Sequence, residues 1–172
     1  MKYSILIGSL VLFAGLCIAD LRTDYDHSVN FGKYHSYSWL NAKASNTLWS
    51  DRITQDIDNA LMAKGWRKVP SGGDASVSAF GSTKNDQTLQ TYYDGLGGGW
   101  FWRGFGDGVA TTTVENTPTG TLVVDIFDSG TKKLIWRGVD TKTLSDNPDK
   151  NVDKLADSVN DLFKKFPPSP EG

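Results

Sequence analysis

Cysteine is nearly absent from this chain. Its 172 residues hold one, Cys17, inside the N-terminal apolar stretch. No disulfide can close within the rest of the chain, and no thiolate metal site can form there. Packing alone must supply stability. An excess of positive charge is missing too: 18 Lys and Arg stand against 20 Asp and Glu, a formal net charge of −2. Nucleic-acid binding needs a clustered basic surface that displaces counterions, so that class of partner is excluded. Attraction to anionic lipid has no electrostatic basis either. Histidine occurs only as His27 and His35. The longest apolar run is too short to span a bilayer comfortably. There is no Gly-x-Ser-x-Gly elbow, no phosphate-binding Gly-Lys-Ser/Thr and no internal repeat.

What is present begins at the N-terminus. Lys2 precedes an apolar run over residues 5–16, and Cys17-Ile18-Ala19 follows. A basic start, a short apolar core and a small-residue exit make a secretory signal. Residues 1–19 are read as that signal, 20–168 as one domain and 169–172 as a short tail. The expected location is the periplasm or cell envelope. Once Lys2 is removed with the signal, 17 basic residues face 20 acidic ones. Cys17 admits a second reading, in which Ala14-Gly15-Leu16-Cys17 is a lipoprotein box and the cysteine is lipidated. The residue before such a cysteine is normally small, and Leu16 is not. Lipidation tethers the domain to a membrane; cleavage after Ala19 releases it. Both readings stand.

Strands are expected at residues 21–26, 36–40, 66–69, 75–83 and 109–114, from period-two alternation or β-prone composition. Strand 75–83 is expected to carry one modestly apolar face. The clearest β signal is Leu122, Val124 and Ile126, then Asp128-Ser129-Gly130, then Leu134, Trp136 and Val139, which reads as an antiparallel hairpin. Two helices are expected. Trp49, Ile53, Ile57, Ala60 and Leu61 form one stripe, with Ser50 as cap and Gly65 as stop. Val152, Leu155, Val159, Leu162, Phe163 and Phe166 form the other, starting at Asn147-Pro148 and ended by Pro167-Pro168. Asp149, Asp153, Asp157 and Asp161 step along the second helix opposite its apolar face. That row reads as a solvated face with helix ion pairs to nearby lysines, not as a metal ladder. The predicted class is α+β: an antiparallel sheet of five to six strands with both amphipathic helices packed on one face.

In that order the elements resemble the bacterial envelope proteins that carry the domain of unknown function numbered 4136. The similar pieces are Thr23-Asp24-Tyr25-Asp26, Phe31-Gly32-Lys33-Tyr34 and Tyr37-Ser38-Trp39, then Leu61-Met62-Ala63-Lys64-Gly65-Trp66. Gly120-Thr121-Leu122-Val123-Val124-Asp125, Leu134-Ile135-Trp136-Arg137-Gly138 and Phe163-Lys164-Lys165-Phe166-Pro167-Pro168 complete the set. The resemblance implies an envelope location, often through a lipid anchor. It implies no assigned activity and supplies no catalytic residues.

Candidate sites are few. Residues 95–108 concentrate seven glycines and four aromatics, but no phosphate-loop spacing. Trp100, Phe101, Trp102 and Phe105, with Arg103 among them and Tyr92 and Tyr93 before them, are either a lid folded on the sheet or a contact surface for a protein, glycan or lipid. Asp24 and Asp26 beside His27 are two carboxylates expected on one strand face, too few for a metal site. The leading functional expectation is an exported, non-enzymatic binding or scaffolding module that uses the aromatic Gly-rich loop, with no cofactor and an unidentified envelope partner. The alternatives are an envelope hydrolase or glycan-modifying enzyme using Asp24, Asp26 and His35, and a membrane-peripheral protein.

Overall fold

The computed structural model describes residues 20–83 and 118–168. Six strands form one sheet: β1 (Asp20–Tyr25), β2 (Ser36–Lys43), β3 (Arg67–Lys68), β4 (Ala75–Ser82), β5 (Thr119–Asp128) and β6 (Leu134–Thr143). Among the described residues two α-helices accompany them, α1 (Thr47–Ala63) and α2 (Pro148–Phe163). The spatial order is β1-β6-β5-β4-β2-β3. The α+β class and the strand number agree with the sequence reading. The sheet is mixed, however. β1, β6, β5 and β4 pair antiparallel, whereas β2 runs parallel to both β4 and β3. The crossover through α1 forces this: a chain that leaves β2 through a helix packed on the sheet returns in the same direction.

The expected helix stripes are the buried ones. Ile53, Ile57 and Leu61 of α1 are buried, and so are Val159, Leu162 and Phe163 of α2. Both helices pack on one face of the sheet, sharing a core with Val77, Leu122, Val124, Ile126 and Trp136. The cap of α1 differs from the expectation. Asn46, not Ser50, accepts from the Trp49 N–H, while the Ser50 hydroxyl donates back to the Asn46 carbonyl one turn inside. An asparagine four residues upstream is the better cap because its carboxamide reaches an amide of the first turn. At the other end Gly65 adopts φ 84°, and the Trp66 N–H bonds the Leu61 carbonyl, closing the helix as expected. In α2, Asn147 caps and Pro148 opens the helix, as read from sequence. All four aspartates of the acidic row are exposed. The ion pair seen there runs from Asp161 to Lys142 on β6, not to a helix lysine.

The second face of the sheet is also buried at its centre. Ser76, Ser78 and Phe80 of β4, Val123 and Asp125 of β5 and Arg137 of β6 are all buried there. The expectation of a single apolar face on β4 is therefore incomplete: residues 75–80 are buried on both sides. Asp125 and Arg137 face each other across the β5–β6 ladder and form a bidentate pair, Nε–Oδ1 2.6 Å and Nη2–Oδ2 2.9 Å. The hairpin loop is longer than the three-residue turn expected. Asp128 Oδ1 accepts from both the amide and the hydroxyl of Thr131, and Lys132 takes the positive φ of 62°.

Candidate functional site

Three rungs of the sheet run beneath the helices. Val77, Ile126 and Trp136 form the first, Ala79, Val124 and Gly138 the second, Gly81, Leu122 and Asp140 the third. The first rung is filled by aromatic rings. Trp136 lies 5.2 Å from Phe163 and 5.3 Å from Phe166 between centroids, and Phe166 in turn meets Trp66 and Phe31. Gly138 in the second rung makes this possible, because a Cβ there would stand 2.6 Å from the Trp136 ring.

The third rung is different. Between the start of α1, the start of α2 and the ends of β4, β5 and β6 lies a cavity of about 230 Å³. Its apolar wall comes from Trp49, Ile53, Leu122, Leu144 and Leu155. Two glycines leave the space open. A Cβ on Gly81 would lie 2.7 Å from Ile53 Cδ1, and one on Gly120 would lie 2.9 Å from Leu144 Cδ2. Side chains at either position would push those groups into the cavity. The mouth is tied by Asn151, which accepts from the Ser145 N–H and donates to the Ser145 carbonyl.

Asp140 sits on this apolar phase. It is 1% exposed, and among the described residues neither carboxylate oxygen has a hydrogen-bond partner. Lys142 Nζ stands 3.5 Å from Asp140 Oδ2 and 3.6 Å from Asp161 Oδ2. The first distance gives Coulomb attraction but is too long for a charge-assisted hydrogen bond. The other ammonium at the cavity, Lys154, donates to the Thr143 carbonyl at 2.7 Å. A buried carboxylate normally fills its acceptor sites, since an unmet one costs about 1–3 kcal/mol or more. Sequence reading passed over Asp140. The signal was available: Leu122, Val124 and Ile126 alternate on β5, and continuing the phase Trp136, Gly138 on β6 puts an aspartate on the core side. Val139, counted there with the apolar positions, belongs to the other face.

The carboxylates singled out from sequence do not assemble. β1 ends at Tyr25, so Asp26 lies beyond the strand rather than on one face with Asp24. Asp24 accepts from the Tyr25 N–H, and Asp26 holds the amide and hydroxyl of Ser28. The His27 ring lies 4.3 Å from the Tyr25 ring at a tilt of 33°, and exposed His35 donates its backbone amide to Asp74. Among the described residues, no group of three His, Cys, Asp or Glu side chains is placed to hold a metal ion. Nor is any helix among them long and apolar enough to cross a membrane. Cys17, Tyr92, Tyr93, Trp100, Phe101, Trp102, Arg103 and Phe105 lie outside the described residues, as do the signal, the 109–114 strand and the tail.

Two further carboxylates have structural work that sequence did not reveal. Asp58 of α1 accepts from Tyr37 Oη at 2.8 Å, Trp39 Nε1 at 2.9 Å and Lys68 Nζ at 2.8 Å, pinning the helix over β2 and β3. Burial, with that bond second, pushes the Tyr37 phenol well above its ordinary range. Asp74 accepts from the His35 and Ser36 amides and the Ser36 hydroxyl, which holds its carboxyl below the usual value.

Comparison with known proteins agrees with this architecture. A crystal structure of a DUF4136 family protein from Bacteroides thetaiotaomicron superposes with a TM-score of 0.56 at 15% identity, covering 87% of this chain and 96% of that one. A PDZ domain protein from Parabacteroides distasonis gives 0.58 at 14% identity, over 91% of this chain but 36% of that one. At these identities the likeness is one of fold. No curated protein matches. The family model described as "Domain of unknown function (DUF4136)" matches residues 21–168. With nearly the whole sheet-and-helix unit inside that match, this chain belongs to the DUF4136 family.

Proposed function

We propose that this chain is an exported cell-envelope domain that acts by binding rather than by catalysis, and that the cavity floored by Asp140 is its binding site. One observation carries the reading: an apolar cavity of about 230 Å³ has in its lining Asp140, whose buried carboxylate has no hydrogen-bond partner among the described residues. Concave, mostly apolar sites with a few convergent polar groups are the usual form of small-ligand sites. A core built for stability alone would place a leucine there. The envelope location rests on the N-terminal signal pattern, with lipidation at Cys17 as its anchored form. Catalysis is disfavoured because the Asp24 and Asp26 carboxylates are taken up in separate local hydrogen bonds and His35 meets Asp74 only through its backbone amide. The aromatic stretch 92–105, read from sequence alone as a lid or a contact surface, lies outside the described residues.

Two measurements test this. Fusion of residues 1–172 to alkaline phosphatase should give an active, exported reporter, and deletion of residues 2–19 should abolish that activity. A fragment screen by amide NMR should return small apolar compounds that shift Gly81, Leu122, Leu144 and Leu155 together. A screen in which none of those four amides responds to any compound refutes the binding assignment.

A further inference from the structure

We propose that the cavity at Asp140 takes an apolar ligand, a ring or short chain, that ends in an uncharged hydrogen-bond donor, a hydroxyl or amide N–H, directed at the Asp140 carboxylate. This rests on the binding reading above and names the chemistry of the ligand.

The size sets the body. A dry cavity of about 150 Å³ accommodates benzene, so 230 Å³ holds one ring with a short arm. The wall of Trp49, Leu122, Leu144 and Leu155 suits such a body through contact and burial. The floor sets the head. Two carboxylate oxygens are buried without hydrogen bonds, and a carboxylate only accepts, so the head must donate. Charge sets the last property. The cavity lining includes Lys142 and Lys154 beside Asp140, and Lys142 Nζ is shared between Asp140 and, outside the lining, Asp161. A cationic head would add a third positive charge beside them, and an anionic head would face Asp140 itself. A neutral donor completes the carboxylate while leaving the Lys142 ion pair in place.

The experiment compares three probes that share one ring: benzyl alcohol, benzyl methyl ether and benzylammonium. Binding to the full mature domain is followed by amide shifts of Gly81, Leu122 and Leu144. The alcohol is expected to saturate these shifts, and the ether, with its donor removed, to bind at least about tenfold more weakly, because a site that needs a donor rejects the analogue lacking it. In Asp140→Leu the alcohol and ether should bind equally. Should that variant fold poorly, Asp140→Asn serves in its place, with the alcohol's preference reduced. Equal binding of alcohol and ether to the unaltered protein overturns the donor assignment but leaves the binding site standing. The same holds for a preference that survives loss of Asp140. Tightest binding by benzylammonium overturns the uncharged head. If no probe binds, this inference fails, and the binding reading is decided separately by the fragment screen.

Discussion

The two ends of the helix–sheet layer solve the same packing problem in opposite ways. At the Trp136 end, rings from β6, α2 and the chain after α2 interlock at centroid distances of 5.2–5.4 Å. At the Asp140 end, roughly 13 Å further along β6 by strand rise, glycines take the place of large side chains and a carboxylate takes the place of an apolar one. The layer is the same two helices on the same three strands throughout. One end is therefore built for density, where each large buried side chain contributes roughly 1.5–3 kcal/mol. The other gives up that contribution and keeps space. Natural sequences break local consistency mainly where function requires it, and this contrast is what directs attention to the third rung.

The comparison breaks most sharply at the aromatic end. Phe163→Asp places an unpaired charge among Trp136, Leu162 and Phe166 and is expected to abolish the cooperative melting transition. Trp136→Ala should cost about 3–5 kcal/mol, read as a fall in the urea midpoint. Leu155→Ala, at the half-buried wall of the cavity, should cost less than about 2 kcal/mol. Equal losses for Trp136→Ala and Leu155→Ala would show that the two ends are not packed differently.

The two buried carboxylates sharpen the same point. Asp125 lies on the face away from the helices and accepts two hydrogen bonds from Arg137. Asp125→Ala removes that bidentate acceptor from a buried guanidinium, a change expected to cost about 3–5 kcal/mol. Asp140 accepts none, so Asp140→Leu should be neutral or stabilising, as replacement of a poorly satisfied buried charge by an apolar side chain often is. Chemical denaturation of both variants checks this. A larger loss for Asp140→Leu than for Asp125→Ala would mean that Asp140 serves the fold rather than the cavity.

Gly81→Ala is a smaller perturbation with a specific readout. Its Cβ would stand 2.7 Å from Ile53 Cδ1, the end of a flexible side chain, and should turn that group into the cavity. The expected stability change is within about 1 kcal/mol, since backbone strain is not involved and one rotamer shifts. Benzyl alcohol binding should fall more than tenfold. Retained binding would place the ligand elsewhere.

The helices were legible because their apolar stripes repeat every 3.6 residues and their caps are local: Asn147, Pro148 and Gly65 act on neighbours in sequence. The antiparallel hairpin of β5 and β6 was legible for the same reason. The parallel pairing of β2 with β4 was not, because it depends on where α1 docks and no local pattern encodes that. Asp140 escaped for a related reason. A lone aspartate late in a strand reads as an exposed end until the register with Leu122 and Gly81 fixes its face. Asp58 and Asp74 gave no local signal because their partners, Tyr37, Trp39 and Ser36, are distant in sequence.

The smallest expected effect lies at the loops beside the aromatic end, where Tyr34 Oη donates to Asp128 Oδ2 at 2.8 Å. Hydrogen bonds from Thr131, then from Tyr34, hold the Asp128 carboxyl below its ordinary value, and Asp26 is lowered in the same way by Ser28. A carboxyl lowered on folding contributes stability that is present above its unfolded value near 3.9 and is lost as pH falls through the folded value. Tyr34 moves the other way: burial, then the Asp128 bond, raises its phenol to about 12. Its contribution is full below the unfolded value near 10 and is lost as pH rises from there toward 12. Stability should therefore be flat from about pH 5 to 9 and decline on both sides. Tyr34→Phe should make the alkaline decline shallower, leaving the share due to Tyr37, and, by removing one donor from Asp128, also shallow the acid one. Asp74→Asn should shallow the acid limb alone, because its partners, the His35 and Ser36 amides and the Ser36 hydroxyl, lower Asp74 without involving a phenol. Denaturation midpoints across pH 2–11 read both limbs. An alkaline limb unchanged in Tyr34→Phe would show that a different group, with Tyr37 the nearest in kind, sets it.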